Sequence, residues 1–399
     1  MGISVKLVPE NKVVSIDRDE ARASDILAEL GYSSEEAVVI LNGRPVPEDS
    51  RVRQGDDVVV VRVLSGGSAR CGKCGGEAVA YSRYMRMYLC SSHLVELVES
   101  KIRRALKRYG MVSRGDLVLV AISGGKDSST LLGALAKLSR ELGFSLLGFH
   151  IDLGIGDYSR RSLEASKLLA ERAGVPMAVV SVAEITGMTI PELASKARRP
   201  VCSVCGLVKR YLINAAAVEA GASAVALGHN ADDIIAYNMK SFIAQDLEAI
   251  PKLGPKTPTI EGLAVGRIRP LYEVYEKEAY LYAVLEGLPF LHDECPMLDQ
   301  ESLERGLKRQ INAIEEKKPG TKLSMLRALA KRLNDYPRPK AMVGRCRYCG
   351  LLSSGSECSF CRLTRRVTGK PLGPQARGIV RERILGSMKS IRTSVEQAG

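Results

Sequence analysis

The sequence predicts an α/β protein built on a doubly wound parallel sheet, flanked by two metal-binding modules and preceded by a small mixed α/β unit. Three observations predict it. Between residues 112 and 335, short continuous apolar runs alternate with helical patterns, which calls for parallel strands covered by helices on both faces. Paired cysteines stand on either side of this stretch. Residues 1–67 carry short strand patterns around a single amphipathic helix.

Composition narrows the class. At roughly 150 residues per domain, 399 residues hold several domains with real cores. Lys and Arg number 58 against 45 acidic residues, and the resulting +13 favours an anionic partner such as nucleic acid. No run approaches the roughly 18 uncharged apolar residues of a membrane span, and the first residues hold no apolar signal core. A cytoplasmic protein with no membrane partner is expected. In that setting the ten cysteines stay reduced, so their spacing points to metal or redox chemistry rather than disulfides.

In the first unit, strands are expected at Ile3 to Val8 and Lys12 to Ile16, with a helix from Ala23 to Leu30. Asn42-Gly43 marks a turn between apolar runs, and DDVVVVRVLSGG ends a last strand at Gly66 and Gly67. This order resembles a β-grasp, the fold of ubiquitin and of bacterial sulfur carriers. The resemblance implies a Gly-Gly tail whose carboxylate becomes a thiocarboxylate. Here Ser68 follows Gly67, so three fates stay open: release of residues 1–67 as a carrier, a tethered docking module, or an ordinary fused unit with a Gly-Gly linker.

Residues 68–111 place Cys71, Cys74, Cys90 and His93 as two ligand pairs, followed by a basic helix from about Ser92 to Tyr109. Residues 340–365 place Cys346, Cys349, Cys358 and Cys361 as two knuckles closing on one ion. Four ligands close a tetrahedral zinc site and leave no position for a substrate, so two structural Zn2+ are expected.

In the main domain, residues 112–335, the apolar strand DLVLVAI runs into Ser123-Gly124-Gly125-Lys126-Asp127-Ser128 and then a helix. Backbone N–H groups and the helix dipole converge on an anion at such a junction. The spacing is not that of a Walker A loop. S-G-G-x-D-S instead resembles the loop of the PP-loop ATPases, which implies ATP cleaved between its α and β phosphates and AMP passed to a substrate oxygen. Gly228-His229-Asn230-Ala231-Asp232-Asp233 ends a later strand and faces the same rim. The resemblance implies that its acids manage Mg2+ and pyrophosphate, with Asp232 the first choice. His150 ends the second strand with Asp152, either against the nucleotide or as a satisfied strand-end histidine.

Cys202, Cys205 and Cys295 remain, expected in loops flanking helices. An iron-sulfur cube on three thiolates keeps one iron open as a Lewis acid. A persulfide on Cys202 or Cys205, resolved by Cys295, is the rival chemistry, and an incomplete zinc site or inert thiols the plain alternative.

The run S-G-G-K-D-S, P-V-C-S-V-C-G-L-V-K-R, G-H-N-A-D-D, E-C-P and K-K-P-G-T-K between two zinc modules resembles the tRNA 2-thiolation enzymes, over residues 71 to about 365. C-S-V-C-G and P-G-T-K look most like the group acting on 5-methyluridine 54, with wobble uridine 34 thiolases or a persulfide-based, cluster-free thiolase as alternatives. The resemblance implies tRNA as substrate, a 4Fe-4S cluster on Cys202, Cys205 and Cys295, two Zn2+, ATP with Mg2+, and sulfur from a ubiquitin-like thiocarboxylate carrier or from the chain's own N-terminal unit. It implies that Lys209 orients target or donor, and includes a homodimer among the expectations. A basic tail, residues 366–399, together with Arg347, Arg362, Arg365 and Arg366, offers contacts for RNA phosphates or simply a solvated face. A ligase of the same superfamily would not need three spare cysteines, and a non-catalytic RNA adaptor would not need both rim motifs.

Overall fold

The structure, a computed structural model, describes residues 2–8, 12–32, 37–46, 50–61, 70–299, 301–338 and 343–396. Gly66 and Gly67 lie outside the described residues.

Five parallel strands form the central sheet in the order Met177–Ser181, Ser145–Asp152, Leu117–Ile122, Ala224–Ala226, Arg267–Ile268. The doubly wound sheet is as expected. Alternation along the first strand explains why both faces are covered. Val118, Val120 and Ile122 enter one apolar core, with helices Ser91–Arg108, Lys126–Leu142 and Glu276–Leu285. Leu119 enters the opposite core, with helix Val201–Glu219. That helix is long and apolar enough by composition to cross a membrane, but Val204, Val208 and Leu212 are fully buried against the sheet.

Strand order reverses between Leu117–Ile122 and Ala224–Ala226, because the chain steps outward twice and then returns to the other side of the first strand. Such a reversal leaves a crevice at the carboxyl ends. Both rim motifs follow directly from these two strands.

The N-terminal unit is a five-stranded sheet in the order Lys12–Ile16, Ile3–Val8, Val58–Val61, Val38–Leu41, Arg44–Val46. Its first and last long strands are parallel neighbours, and helix Ala23–Glu29 covers one face. This is the β-grasp topology expected from the sequence. Val38 and Val61 join the core that holds Cys71, Leu89 and Leu94, which seats the unit on the first cysteine module.

Each cysteine module is seated on a different face of the main domain. The first, a hairpin of Ala80–Ser82 and Met87–Leu89 followed by Ser91–Arg108, packs with the phosphate-loop helix. The second pairs Gly344–Arg345 with Leu352–Ser353 and continues into helix Ser359–Thr368. Its Phe360 stacks on Tyr211 of Val201–Glu219, with ring centroids 4.0 Å apart and planes within 5°.

The basic tail is corrected by the structure. Residues Gly373–Glu396 form a helix, and Ala376, Val380 and Ile384 are fully buried against the domain. These positions repeat every four residues, a stripe too narrow to outweigh the surrounding arginines in a sequence reading. Three of those arginines are paired: Arg377 and Arg381 with Glu219, and Arg383 with Glu184. Replacing Ile384 with Ala should therefore cost about 2–4 kcal/mol and lower the unfolding temperature. An unchanged melting curve would mean that this helix is not docked.

Candidate active site

The phosphate loop is built by two glycines with separate tasks. Gly124 has φ +77°, and a Cβ on it would lie 2.6 Å from the carbonyl oxygen of Ser162. Gly228 comes so close that a Cβ would meet the backbone nitrogen of Ser128 at 3.2 Å. Close backbone approach locks the two rim motifs together. Ser128 Oγ accepts from Ser123 N–H at 3.2 Å and donates to the carbonyl of Gly125 at 2.9 Å, fixing the turn before helix Lys126–Leu142. The N–H groups of the first helical turn then point outward, a ready seat for an anion.

Charge is dense around it. Lys126 Nζ lies 3.1 Å from Asp127 and 2.7 Å from Glu276. Lys308 Nζ lies 2.5 Å from Asp233 and 2.9 Å from Glu276. Asn230 Nδ2 donates to Asp127 Oδ1 at 3.0 Å, tying the second motif to the first. Burial pushes the Asp127 carboxyl up; Lys126 opposes that, while Glu276 and Asp233 add to it. Burial also opposes charge on Glu276, yet Lys126 and Lys308 hold it well below the ordinary carboxylate range. Three acids thus share two lysines, and the excess negative charge favours an added cation.

Asp232, the sequence's first choice for magnesium, has both oxygens engaged. It is 2% exposed, Lys322 Nζ donates to Oδ1 at 2.6 Å, and the N–H of Glu276 donates to Oδ2 at 2.8 Å. Asp127 and Asp233 line the rim instead. His150 is also a structural group here: buried, its Nδ1 donates to the carbonyl of Ile122 at 3.1 Å. Burial pulls its pKa down to about 4. His229 is held neutral by burial as well, its ring 6.0 Å from Tyr237, edge to face, and its Nδ1 has no hydrogen-bond partner among the described residues.

The three remaining cysteines gather beside the same crevice. Cys202 and Cys205 sit in the first turns of helix Val201–Glu219, not in a loop, because Pro200 caps that helix just before them. Cys295 comes from the loop after Glu276–Leu285, where the Cys202 thiol meets the carbonyl of Met297 at 3.5 Å. Burial raises the Cys205 thiol, with Lys209 pulling the other way and Cys295 and Cys202 adding to the rise. Tyr158 is raised to about 12 by burial and then by Cys295 and Cys205. A cleft of about 610 Å³, lined by Tyr158, Arg161, Thr189, Asp293 and Met297 among others, opens at this point.

Two further groups are compact. Cys71, Cys74, Cys90 and His93 place their ligand atoms within 4.8 Å of one another, as do Cys346, Cys349, Cys358 and Cys361. Sulfur pairs stand 3.8 Å apart for Cys74 and Cys90 and 3.7 Å for Cys349 and Cys358. A tetrahedron with metal–sulfur bonds of about 2.3 Å has edges of about 3.8 Å. Burial opposes a thiolate at Cys71, but backbone N–H groups at Cys90, Lys73 and Cys74 bring it to about 6. Both groups are metal-binding sites. Cys202, Cys205 and Cys295 form no third group within 4.8 Å among the described residues.

Sequence reasoning missed Glu276 and Lys308 as the charged frame of the loop. Lys322 was visible within K-K-P-G-T-K but without a partner, and nothing near Lys308 announces its role. The four arginines proposed for RNA are all exposed; Arg365 is paired with Glu357 and Arg347 lies over its neighbour Tyr348.

Gly124→Ala should weaken binding of magnesium ATP at least tenfold, read by calorimetry, because neither its φ nor its space tolerates a side chain. Unchanged affinity would separate the loop from the nucleotide. Because the folded pKa of His150 lies below the ordinary value of about 6.5, the unfolded chain takes the proton first. Stability therefore falls as pH drops from about 6.5 towards 4, and His150→Gln should flatten that part of the melting profile. Equal slopes in both proteins would contradict it.

Comparison with known proteins agrees with this geometry. Residues 95–311 match the PP-loop domain family, and residues 1–64 match small archaeal modifier protein 2. The chain is 38% identical over 299 residues to the tRNA-5-methyluridine(54) 2-sulfurtransferase of Thermus thermophilus, covering 73% of this chain and 90% of that one. It is 37% identical to the enzyme of the same name from Pyrococcus horikoshii, covering 73% and 93%. Among solved structures, the U34-tRNA thiolase of Methanococcus maripaludis superposes with a TM-score of 0.63 at 24% identity, over 74% of this chain and 95% of that one. A rim that joins the S-G-G-K-D-S loop to G-H-N-A-D-D, with two metal-binding modules seated on opposite faces, places the chain in the PP-loop tRNA 2-sulfurtransferase family.

Proposed function

We propose that this protein replaces the C2 oxygen of a tRNA uridine with sulfur at the cost of ATP. The observation that carries this is that the segment leading to Cys295 bridges the phosphate loop, Leu291 pairing with Gly125, while Cys205 feels both Cys202 and Cys295. The uracil oxygen is a poor leaving group, so it must first be activated. The C2 oxygen attacks the α-phosphorus and pyrophosphate leaves; sulfur then attacks C2, and AMP departs with the former uracil oxygen. Atoms balance without any redox change when the donor is sulfide; with a thiocarboxylate, water must also cleave the acyl carbon–sulfur bond and leave the donor as a carboxylate.

Each step has residues to serve it. The loop Ser123 to Ser128 holds the phosphates, with Lys126 and Lys308 beside the leaving pyrophosphate. Asp127 and Asp233 carry magnesium, whose charge relieves the carboxylate crowding on Asp127. The cleft near Tyr158 accepts the base turned out of the RNA stack, and its volume suits one nucleoside. Lys209 lies against Cys205 and orients the incoming sulfur or the target. Exposed Arg362 and Arg366 meet RNA phosphates.

A 4Fe-4S cluster held by Cys202, Cys205 and Cys295 would supply a Lewis-acidic iron for the transferred sulfur. The fit rests on three free thiols outside both four-ligand groups, with Cys202 and Cys295 close enough to Cys205 to raise its thiol. The solved neighbour from Methanococcus carries such a cluster. Zinc fits each four-ligand group by ligand chemistry and by sulfur spacing. Position 54 is favoured because the relatives at 38% and 37% identity bear that name, and the sulfur carrier is a ubiquitin-like thiocarboxylate, for which the N-terminal β-grasp unit is a tethered relative.

The test is anaerobic reconstitution with iron and sulfide, followed by incubation with ATP and tRNA and mass spectrometry of the nucleosides. A 2-thio nucleoside at position 54 is expected, and Cys295→Ala should abolish it while magnesium ATP still binds. Full thiolation by Cys295→Ala would remove the three-cysteine pocket from the chemistry.

A further inference from the structure

We infer that Tyr84 and Lys101 of the first cysteine module are positioning residues for ATP, acting on the phosphate loop through Glu278 and Glu276. Tyr84 lies in the turn of the module's hairpin, and its hydroxyl donates to Glu278 Oε1 at 2.7 Å. Lys101, on the helix capped by Cys90, donates to both Glu278 oxygens at 2.8 and 2.6 Å. Lys101 is 3% exposed and Glu278 7%. The Lys101 ammonium also sits 4.5 Å from the Tyr84 ring centroid and 4.6 Å from that of Tyr275.

Glu278 is the capping residue of helix Glu276–Leu285, its Oε2 accepting from the N–H of Tyr275 at 2.8 Å. Glu276, the first residue of that helix, receives Lys126 of the phosphate loop and Lys308, and its N–H reaches Asp232. One helix end therefore stands between the cysteine module and the loop. A second branch closes the circuit: Tyr275 Oη donates to Glu315 at 2.9 Å, Glu315 accepts the N–H of Lys322 at 2.9 Å, and Lys322 holds Asp232.

Buried carboxylates without partners are costly, so Glu278 stays fixed only while the hairpin and helix of the module stay seated. Their seat is the Cys71, Cys74, Cys90 and His93 site, which ties the hairpin to the start of the helix carrying Lys101. Loss of this contact frees the first turn of Glu276–Leu285. Lys126 then loses the acceptor that aims it, although nothing in the phosphate loop itself has changed.

The inference rests on the loop being the ATP site, and one experiment separates the two. Binding of magnesium α,β-methylene ATP to the full chain is measured by calorimetry, and tRNA binding by filter assay, for the unaltered protein, Tyr84→Phe, Glu276→Gln and the double variant. Absence of nucleotide binding by the unaltered protein would overturn both the loop assignment and this inference. With that binding present, Tyr84→Phe should weaken the nucleotide about three- to tenfold at constant tRNA affinity. In the Glu276→Gln background the same change should add less than about twofold, since both act through one helix end. Additive losses, or unchanged nucleotide affinity in a folded Tyr84→Phe protein, would overturn the inference while leaving the ATP site standing. If Tyr84→Phe fails to fold, the pair Lys101→Met with Glu278→Gln, which neutralises both members of this ion pair, is read by the same two criteria.

Discussion

Three carboxylates competing for two lysines at the reversal of strand order is the arrangement on which the remainder of the molecule depends. Asp127, Asp233 and Glu276 are brought together by different elements, and among the described residues Lys126 and Lys308 are the cations paired with them. A rim with surplus negative charge would repel a bare triphosphate. On the proposed reading a divalent cation accompanies it, and the glycines at 124 and 228 bring the backbones of the two rim motifs close together.

The two cysteine modules make sense as clamps on the two halves of this pocket. The first braces the helix end that carries Glu276, on the phosphate side. The second presses Phe360 flat against Tyr211 in the helix that begins with Cys202 and Cys205. Tyr211 also donates to the carbonyl of Gly373, where a Cβ would lie 2.4 Å from Cys361 Sγ, so the C-terminal helix starts in contact with the module. Metal ligation is a compact way to obtain rigidity where little apolar core is available. In a reaction that must align a base, a phosphate and a sulfur, such rigidity bears directly on rate.

Much of this was legible in the order of residues. The apolar strand before S-G-G-K-D-S has no other stable home than the middle of a covered sheet, and C-x-x-C spacing announces metal sites whatever surrounds it. Side-chain partnerships across long separations were not legible. Asp232 looked like a metal ligand because it sits beside Asp233 in the motif, but helical geometry turns it inward to Lys322, 90 residues away. Glu276 gave no signal, since its importance comes from the packing of its helix against the loop. The C-terminal helix was obscured because its arginines dominate the composition, while its anchoring contacts are three residues four apart.

The β-grasp unit extends the same logic. Its outer face shares a core with the first module, so a sulfur-carrier-like fold rests on the clamp that braces the nucleotide side. The central claim is that ATP activation and sulfur transfer occur in one pocket and on one substrate oxygen. Counting AMP and 2-thio nucleoside in the same anaerobic reaction, with tRNA carrying 18O at C2, tests it most directly. The account predicts one AMP for each thiolated base, with the label in the AMP phosphate. Thiolation without matching AMP, or AMP free of label, would contradict it.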